Sequence, residues 1–468
     1  MNGIVFPRAS RKLALAAGIA AIALTAGKAC ATDLSEALTQ AYVGNPTLDS
    51  ERARLRATDE QVPQALSGWR PTIQGQISAG HEWFQDKSKP APGESVASID
   101  PNRSFWPRTY GVTVTQPIFN GFGTVSGTSQ AENQVQAGRA QLVDAEQQVL
   151  LQAVQAYMGV VRDQAVLDLN INNEKVIAAQ LQATKDRFEA GEVTKTDVAQ
   201  AESRMQQAHA DRTGAEGQLT ASKATYRQII GQEPTDLHMP DNELGLPANV
   251  EETVIQSQGA PQVVAAKFNE LAAKDAIDVN FADLLPEVTL EGSFQRSEEA
   301  NDDRQASNDG TILGVIRIPL YQAGAPDSRV RAAKQQYQQA RKLLDEARRA
   351  SEREAVDAWQ SLDTARAQIT SFEEQVKAAD IALDGVRQEQ QVGARTVLDV
   401  LDQEIEALNA KVSLVQAQTA YAVARYRVLA AVGRLTAKDL ALNTPYYDAT
   451  EHYNEVRNKF WGTGPSVE

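Results

Sequence analysis

The stretch Gly393-Ala394-Arg395-Thr396-Val397-Leu398-Asp399-Val400-Leu401-Asp402 lies between two long helical patterns. An earlier stretch, Gly191-Glu192-Val193-Thr194-Lys195-Thr196-Asp197-Val198, matches it at Gly, Thr, Asp and Val. Glycine adopts the left-handed conformation that ends a helix, and threonine with an acidic residue three positions later forms a capping box. Both stretches therefore predict the tip of a helical hairpin, with Thr194 and Thr396 as N-caps and Asp197 and Asp399 as their partners.

The two tips are part of an internal duplication. Matching residues recur at two spacings: 202 residues for Gly191 and Gly393, Gly231 and Gly433, and Pro117 and Pro319, and 215 residues for Pro46 and Pro261, and Pro71 and Pro286. The change in spacing places thirteen additional residues in one loop of the first copy. We therefore predict a first structural unit at 32–245, a second at 246–440, and a C-terminal segment at 441–468 that packs outside the helices.

Within each unit, the sequence pattern predicts secondary-structure elements in the order helix, strand, loop, strand, long helix, tip, long helix. Residues 34–66 open the first unit with a helix-forming composition. Polar and apolar residues alternate, as in half-buried strands, at 72–79, 110–115, 288–295 and, less regularly, 312–318. The intervening stretches 85–107 and 296–310 are rich in turn-forming or charged residues and predict exposed loops.

Long segments without proline surround both tips, at 118–233 and 327–444. Around the second tip, apolar residues recur three and four positions apart over 362–386 and 398–429. This spacing on both sides of a tight turn predicts an antiparallel coiled coil. A helix over about 124–189 would be roughly 100 Å long at 1.5 Å per residue, so an elongated molecule is expected.

The first residues predict an export signal. Arg8, Arg11 and Lys12 precede an apolar run at 13–26, and Ala29-Cys30-Ala31 fits a signal-peptidase site. We therefore expect residues 1–31 to be a cleaved signal peptide. An alternative makes Cys30 a lipidated first residue, but Lys28 puts a charge where a lipoprotein signal has a small or apolar residue. Cleavage after Ala31 would remove the only cysteine and leave no thiolate for disulfides or metal sites.

The charge balance argues against two kinds of partner. The chain has 46 basic and 61 acidic residues, and four of the basic residues fall in the leader, so the mature net charge is −19. Nucleic acids and anionic lipids bind basic surfaces, so neither is expected as a partner.

The mature chain has no run of eighteen apolar residues, which argues against a transmembrane helix. Strands cross membranes with a much weaker pattern, but four strands are fewer than the roughly eight that a closed barrel needs. An open sheet edge leaves backbone groups unsatisfied in lipid, so several chains must share one barrel. The aromatic residues near the strand ends fit either an interfacial girdle or ordinary packing: Trp83, Phe84, Phe105, Trp106 and Tyr110.

Several motifs together resemble the TolC family of outer-membrane efflux channels: the signal sequence, Asn45-Pro46, Pro117-Ile118-Phe119-Asn120-Gly121, Pro319-Leu320-Tyr321-Gln322-Ala323-Gly324 and both tips. The match extends to about Leu442. The resemblance implies an α+β membrane protein, a homotrimer in which a shared outer-membrane β-barrel stands above a long antiparallel coiled-coil α-barrel. It also implies the outer membrane of a Gram-negative bacterium as location, contact with outer-membrane lipid, and an α-barrel that extends into the periplasm. The implied partners are a periplasmic adaptor and an inner-membrane ABC or proton-driven pump, for type I protein secretion or multidrug efflux.

Two acidic residues of the second tip are candidates for a gate. Asp399 and Asp402 are three positions apart and lie on one helix face, so three copies would form two stacked rings of carboxylates. Such rings attract cations, and mutual repulsion favours partial protonation. The resemblance places both at the periplasmic constriction. The alternatives are a capping role for Asp399 and a solvated face for Asp402.

The resemblance also implies a latch at the tips. Arg395 matches the family's gate-holding arginine and would bridge to Thr196 and Asp197 of a neighbouring first hairpin. Gln390 stands where the family has a hydrogen-bonding tyrosine, and it retains the ability to donate to Asp197. The alternative for Arg395 is a cation near a helix C-terminus, favoured by the helix dipole. The tips themselves are expected to contact the adaptor, through Gly191, Val193, Gly393 and Val397.

We expect neither catalysis nor a cofactor. The four histidines are scattered without metal-ligand spacing: His81, His209, His238 and His452. The stretch Gly121-Phe122-Gly123-Thr124-Val125-Ser126-Gly127 departs from a dinucleotide-binding spacing, and no parallel strand follows it. The predicted function is therefore a passive export duct gated at its helical tips. The alternative is a periplasmic coiled-coil structural or adaptor protein without a pore.

Overall fold

The computed structural model describes residues 33–85, 102–240, 244–299 and 306–464, so the predicted signal peptide lies outside the described residues. The helices are α1 (Leu34–Gly44), α2 (Pro46–Asp59), α3 (Gln61–Leu66), α4 (Gly123–Glu189), α5 (Lys195–Ile230), α6 (Val250–Ser257), α7 (Pro261–Ala282), α8 (Ala325–Gln391), α9 (Val397–Ala431) and α10 (Glu451–Val456). The strands are β1 (Thr72–Ala79), β2 (Glu82–Gln85), β3 (Asn102–Phe105), β4 (Arg108–Asn120), β5 (Glu287–Glu298) and β6 (Ala306–Arg317).

Two copies of one unit build the chain, as the spacing of glycines and prolines predicts. In each copy a helix leads into an antiparallel strand pair, β1 with β4 or β5 with β6. A helix of 67 residues follows, α4 or α8, and a tight tip joins it to a shorter antiparallel partner, α5 or α9. At 1.5 Å per residue the longer helices extend about 100 Å. Within the described ranges, no helix has the length and apolarity needed to cross a membrane.

The strands of both copies join in one antiparallel sheet with the order β1-β4-β5-β6. The pairing of β4 with β5 joins the copies, with Val112 opposite Phe294. This arrangement leaves β1 and β6 as the edge strands of the sheet in a single chain. The expectation of strands at 72–79, 110–115 and 288–295 is confirmed, although β4 and β5 extend beyond the alternating segments.

The predicted exposed loops need a correction. Residues 82–85 and 102–105 pair as a second hairpin, β2 with β3, so part of the stretch 85–107 is strand. Likewise, β5 continues to Glu298 and β6 begins at Ala306, which leaves a much shorter connection than the predicted 296–310. Charged and polar residues are tolerated in a strand where both faces of the sheet are exposed to water. Composition alone therefore assigned these strand ends to loops. The remaining loop residues 86–101 and 300–305 lie outside the described ranges.

The predicted coiled-coil seam of the second hairpin is present. On α8, Leu362, Ala365 and Leu383 are buried, and the seam residues between them are half-buried. On α9, however, the buried face is wider than the predicted seam and includes Val397, Val400, Ala407 and Ala410. Besides pairing with α8, this helix packs against α4 and α5 of the first hairpin, so it buries more than one stripe.

Strand and helix meet at the same backbone bend in both copies. Gly121 and Phe122 have φ of 61° and 66°, and their counterparts Ala323 and Gly324 have 53° and 75°. Two successive left-handed residues therefore turn the chain from the sheet into the long helix. In the first copy, Asn120 also donates to Thr124 Oγ1 over 2.5 Å and accepts from its N–H, which ties the strand end to the first helical turn.

Candidate gate at the hairpin tips

Both tips end their first helix in the same way. Gly191 and Gly393 have φ of 81° and 77°, values that glycine adopts without strain. The N–H of Glu192 donates to the carbonyl of Arg187 at 2.9 Å, and the N–H of Ala394 donates to that of Glu389 at 2.9 Å. These backbone bonds close the last helical turn as in a Schellman motif, so the glycine prediction is confirmed.

Both tips also start their second helix with the predicted capping box. In the second tip, Thr396 donates to Asp399 Oδ2 from its N–H at 2.9 Å and from its hydroxyl at 2.8 Å. Asp399 returns a bond from its own N–H to Thr396 Oγ1 at 3.2 Å. These hydrogen bonds lower the pKa of Asp399, and the equivalent bonds from Thr194 lower that of Asp197. Capping therefore keeps both carboxylates ionised and acts against the expected partial protonation.

A second duplicated contact, an ion pair, joins the two helices of each hairpin at least one helical turn from the tip. Lys185 of α4 forms an ion pair with Glu202 of α5 at 3.0 Å. Arg387 of α8 forms the equivalent ion pair with Glu404 of α9, and both members are 202 residues from their counterparts. Glu404 is 9% exposed, whereas the side chain of Glu202 is 53% exposed, so the second hairpin holds its carboxylate in a drier seam.

The two hairpins of one chain contact each other near the tips. Val397 and Leu401 of α9 are buried in an apolar cluster with residues of α4 and α5: Ile177, Ala201 and Ala208, flanked by Leu181 and Met205. Beside this cluster, Arg204 of α5 places Nη2 2.6 Å from Oδ1 of Asp402. Asp402 is therefore neither an unpaired ring carboxylate nor a merely solvated residue in a single chain, because a cation of the first hairpin neutralises it.

The residues of the predicted latch do not meet within one chain. Arg395 donates from Nε to Glu389 Oε2 at 2.9 Å, within its own hairpin, and this contact raises the pKa of Arg395. Thr196 is exposed on the first hairpin, and Gln390 is half-buried on the second. In the described part of a single chain, no hydrogen bond or ion pair joins Arg395 or Gln390 to Thr196 or Asp197. In a single chain, Arg395 thus has an anionic partner beside the end of its helix.

One predicted adaptor contact needs correction. Val397 is 5% exposed because it packs in the cluster between the hairpins, so it is not available to a partner protein. Gly191 and Gly393 are exposed and Val193 is half-buried, and Val392 next to Gly393 is 80% exposed. The accessible apolar surface of the second tip therefore lies just before the glycine.

The sheet at the other end of the molecule has two chemically different faces, both exposed. Residues of one parity form an apolar face with exposed side chains: Ile73, Ile77, Tyr110, Val112, Leu290, Phe294, Ile312 and Ile316. The opposite parity is mainly polar, and includes Thr72, Gln74, Gln76, Thr113, Thr115, Ser293, Gln295 and Thr311. A water-soluble sheet buries its apolar face in a core, and this one does not.

Aromatic residues lie at the end of the sheet that is remote from the helices. Trp83, Trp106 and Tyr110 are 78%, 60% and 41% exposed. The centroid of the His81 ring lies 4.7 Å from that of Trp106 and 5.9 Å from that of Trp83. Phe105 differs, since it is buried. Among the described residues there is no group of histidines, cysteines and carboxylates that would hold a metal ion.

Comparison with known proteins identifies relatives along nearly the whole chain. The sequence model of the outer membrane efflux protein family matches residues 37–232 and 256–434. The chain is 33% identical over 466 residues to the outer membrane efflux protein BepC of Brucella suis, covering 99% of this chain and 98% of BepC. It is 27% identical over 431 residues to the outer membrane protein TolC of Vibrio cholerae, covering 90% and 95%.

The fold has solved counterparts as well. The crystal structure of the Campylobacter jejuni CmeC outer membrane channel aligns with a TM-score of 0.78, covering 91% of this chain and 89% of CmeC. The sequence identity in that alignment is 15%, so the likeness concerns the fold. The α+β architecture of duplicated helical hairpins and strand pairs is therefore that of outer membrane channels.

Proposed function

We propose that this chain, which belongs to the outer membrane efflux protein family, assembles with two further copies of itself into an outer-membrane export channel. The observation that carries the proposal is the exposed apolar face of the sheet, backed by an exposed polar face. Lipid covers the first and an aqueous lumen the second. Ile312 lies on the apolar face and its neighbour Thr311 on the polar face of the same strand. If water surrounded the sheet on both sides, the apolar face would be exposed to water at a cost in free energy.

The height of the apolar face supports this assignment. Strand β4 rises about 26 Å from Tyr110 to Ile118 at roughly 3.3 Å per residue. A strand tilted by about 40° then spans close to 20 Å of an apolar band that is about 25 Å tall. Trp83 and Trp106 end this face at the remote side, where amphipathic rings suit a headgroup region. We therefore assign them to an interfacial girdle and Phe105 to ordinary packing.

The edges of the sheet support oligomerisation. β1 and β6 are edge strands in a single chain, and their free backbone groups are costly in lipid. Three copies provide twelve strands in one closed sheet, in which β6 of one copy pairs with β1 of the next. The long helices of three copies then continue below the sheet as a tube, and the tips with their acidic residues lie at its far end.

We assign the gate to those tips. Asp399 keeps its charge through the capping box, so three copies provide a ring of ionised carboxylates at the entrance. Asp402 adds a second ring when it is released from Arg204. Between neighbouring copies, we assign Arg395 to a contact with Thr196 and Asp197. In the described structure the capping hydrogen bonds from Thr194 use Oδ2 of Asp197, so its Oδ1 can accept from a further donor. Gln390 is assigned a supporting hydrogen bond there.

The proposed channel is passive and depends on partners. Energy and selection of cargo are assigned to an inner-membrane ABC or proton-driven pump, and an adaptor joins the pump to the tips through Gly191, Val193 and Gly393. Cargo is a small molecule in multidrug efflux or a protein in type I secretion. We expect the signal peptide to be removed after Ala31, before insertion into the outer membrane. No catalytic or cofactor role is proposed.

Single-channel conductance in a planar bilayer tests the function directly. Purified trimers should give a small, cation-selective conductance, and Asp399→Asn with Asp402→Asn should reduce the selectivity. Glu192→Gln is the matched control, because it removes an exposed charge of the first tip that lies outside the two proposed rings. A folded trimer without conductance would favour the alternative of a periplasmic structural or adaptor protein. A pore whose selectivity ignores the double substitution would retain the channel and reject the acidic rings.

A further inference from the structure

The contact between the two hairpins of one chain has an apolar part and a polar part. Val397 and Leu401 supply the apolar part, and Arg204 with Asp402 supplies the polar part. The polar partners are next to the cluster in sequence, since Asp402 follows Leu401 and Arg204 precedes Met205. Apolar contacts are not directional, so they allow α9 to shift along α5. A hydrogen-bonded ion pair at 2.6 Å is directional and fixes the position of one helix along the other.

This ion pair does not follow from the duplication. The counterpart of Asp402 in the first copy is Gln200, and the counterpart of Arg204 in the second copy is Glu406. Glutamine carries no charge, so the symmetric position cannot form the same pair. The chain therefore has a specific bridge from α5 to α9 that its repeated architecture does not supply.

Three other cations near the tips form ion pairs within single hairpins. Lys185 pairs with Glu202 across the first hairpin, and Arg387 with Glu404 across the second. Arg395 pairs with Glu389 beside its own tip. In the described part of the tips, the ion pair that joins one hairpin to the other is that of Arg204.

We infer, on the basis of the proposed channel function, that Arg204 is the closing latch of the gate within each chain. While Arg204 holds Asp402, the second hairpin stays beside the first. Outward movement of the second hairpin breaks the pair and takes the Asp402 carboxylate away from its cation partner. Opening therefore widens the entrance and increases its negative charge in one step.

Charge reversal tests the latch in the full-length channel. We compare Arg204→Glu, Asp402→Arg and the combined swap by open probability in a planar bilayer. An exposed ion pair changes an equilibrium by up to about fivefold, and a like-charge pair acts in the opposite direction. Each single reversal is thus expected to raise the ratio of open to closed channels by about fivefold or more. The combined swap restores the pair and should return that ratio towards wild type.

Lys185→Glu is the matched control. It reverses a cation near the same tip, but its partner Glu202 lies in the same hairpin. This variant should leave the open probability near wild type. Single reversals without effect, a swap that fails to restore closure, or an equal effect of Lys185→Glu would each overturn the inference and leave the channel function intact. Absence of conductance in all variants, wild type included, would overturn the proposed function and the inference with it.

Cross-linking gives a second measurement that does not depend on reversed charges. The single cysteine of the chain, Cys30, lies in the predicted leader, so Arg204→Cys with Asp402→Cys introduces a unique pair. A short cleavable bismaleimide should join the two positions and hold the channel closed, and cleavage should release it. A cross-linked channel that still opens as wild type would show that the hairpins need not separate here, and would overturn the latch.

Discussion

Asp59 and His452 are 393 positions apart in the sequence, but Asp59 Oδ2 lies 3.2 Å from His452 Nδ1. Asp59 ends α2 and is 1% exposed, and its Oδ1 has no hydrogen-bond partner among the residues that the structure describes. The C-terminal segment is thus attached to the start of the chain at a buried polar site. Nearby, Arg457 donates to Glu132 of α4 at 3.0 Å, and Tyr447 N–H donates to the hydroxyl of Tyr42 at 3.0 Å.

Burial of Asp59 predicts a pH-dependent stability. Loss of solvation raises its pKa despite His452 and Arg139, while Glu60 adds to the rise. A raised pKa means that this site stabilises the fold most below the ordinary pKa of aspartate, and less as the pH rises through the higher value. Asp59→Asn carries no such charge. The thermal midpoint of this variant relative to wild type should therefore increase from pH 3.5 to pH 7, as followed by circular dichroism.

Glu60→Gln serves as the control for that comparison. Glu60 is adjacent in sequence and its carboxylate is 4.0 Å from His452 Nε2, but its side chain is 46% exposed. Water solvates this carboxylate in both states, and its effect on the pKa of Asp59 is smaller than that of burial, so the substitution should change the midpoint and its pH dependence much less than Asp59→Asn does. An Asp59→Asn difference that stays constant with pH would contradict the assigned role of burial.

The features that the sequence predicted are those decided by neighbours along the chain. A glycine in the left-handed region and a threonine three residues before an aspartate specify each tip without reference to the rest of the fold. Strand β1 was predicted at its observed bounds, 72–79, because alternation over eight residues is a local pattern. The cofactor and partner predictions have no such local test and remain predictions.

Most features that the sequence did not predict depend on contacts between elements that are far apart in the chain. Arg204 and Asp402 are 198 residues apart, and nothing in either segment indicates its partner. Val397 has the spacing of an exposed tip residue until α9 is seen to pack on two neighbours. The short strands β2 and β3 were hidden in a polar stretch, since four-residue strands give too few alternations to recognise.

The joint between sheet and helix predicts a large difference between two equivalent positions. A Cβ on Gly121 would lie 2.7 Å from the carbonyl oxygen of Ala282 and 2.8 Å from Cβ of Leu285. Gly121→Ala should therefore destabilise the protein by about 1–3 kcal/mol through overpacking. The counterpart Ala323 already holds the left-handed conformation with a side chain, at φ 53°. Ala323→Gly relieves backbone strain in the folded state but raises the conformational entropy of the unfolded chain. These effects oppose each other, so the free energy of unfolding should change by less than about 1 kcal/mol.

Thermal unfolding of the two variants, in the same detergent, measures this difference. Changes of equal size and opposite sign would mean that backbone conformation alone decides both positions. A tolerated Gly121→Ala would mean that the close approach to Ala282 relaxes without cost.

The duplicated ion pairs predict unequal contributions to the two hairpins. Arg387→Met removes the cation from Glu404, which is 9% exposed in the seam, and leaves the apolar stem largely in place. An unsatisfied buried polar group costs about 1–3 kcal/mol, and a charged one costs more, so Arg387→Met should destabilise the second hairpin by at least about 1 kcal/mol. Lys185→Met should cost less than about 1 kcal/mol, because Glu202 is solvated. Hydrogen exchange near each tip measures both losses, and similar increases in the two hairpins would argue that burial of Glu404 does not matter.

Neighbouring residues on β6 provide the strictest test of membrane insertion. Ile312 and Leu313 are 80% and 54% exposed, and they point to opposite faces because successive side chains of a strand alternate. Ile312 belongs to the apolar face, and Leu313 is paired with Glu291 on the mainly polar face. Lysine at a lipid-facing position near the middle of a bilayer costs about 2–4 kcal/mol.

Ile312→Lys should therefore reduce the amount of folded trimer in the outer membrane several-fold, whereas Leu313→Lys should be tolerated. The lysine at 313 would face water and lie opposite Glu291, an attractive cross-strand pair. Heat-modifiable trimer in isolated outer membranes measures both variants, and total expression serves as the control. The reverse order would assign lipid to the polar face, and equal loss would indicate that β6 tolerates no charge on either side. Only the predicted order is consistent with an aqueous lumen behind Leu313 and lipid beside Ile312.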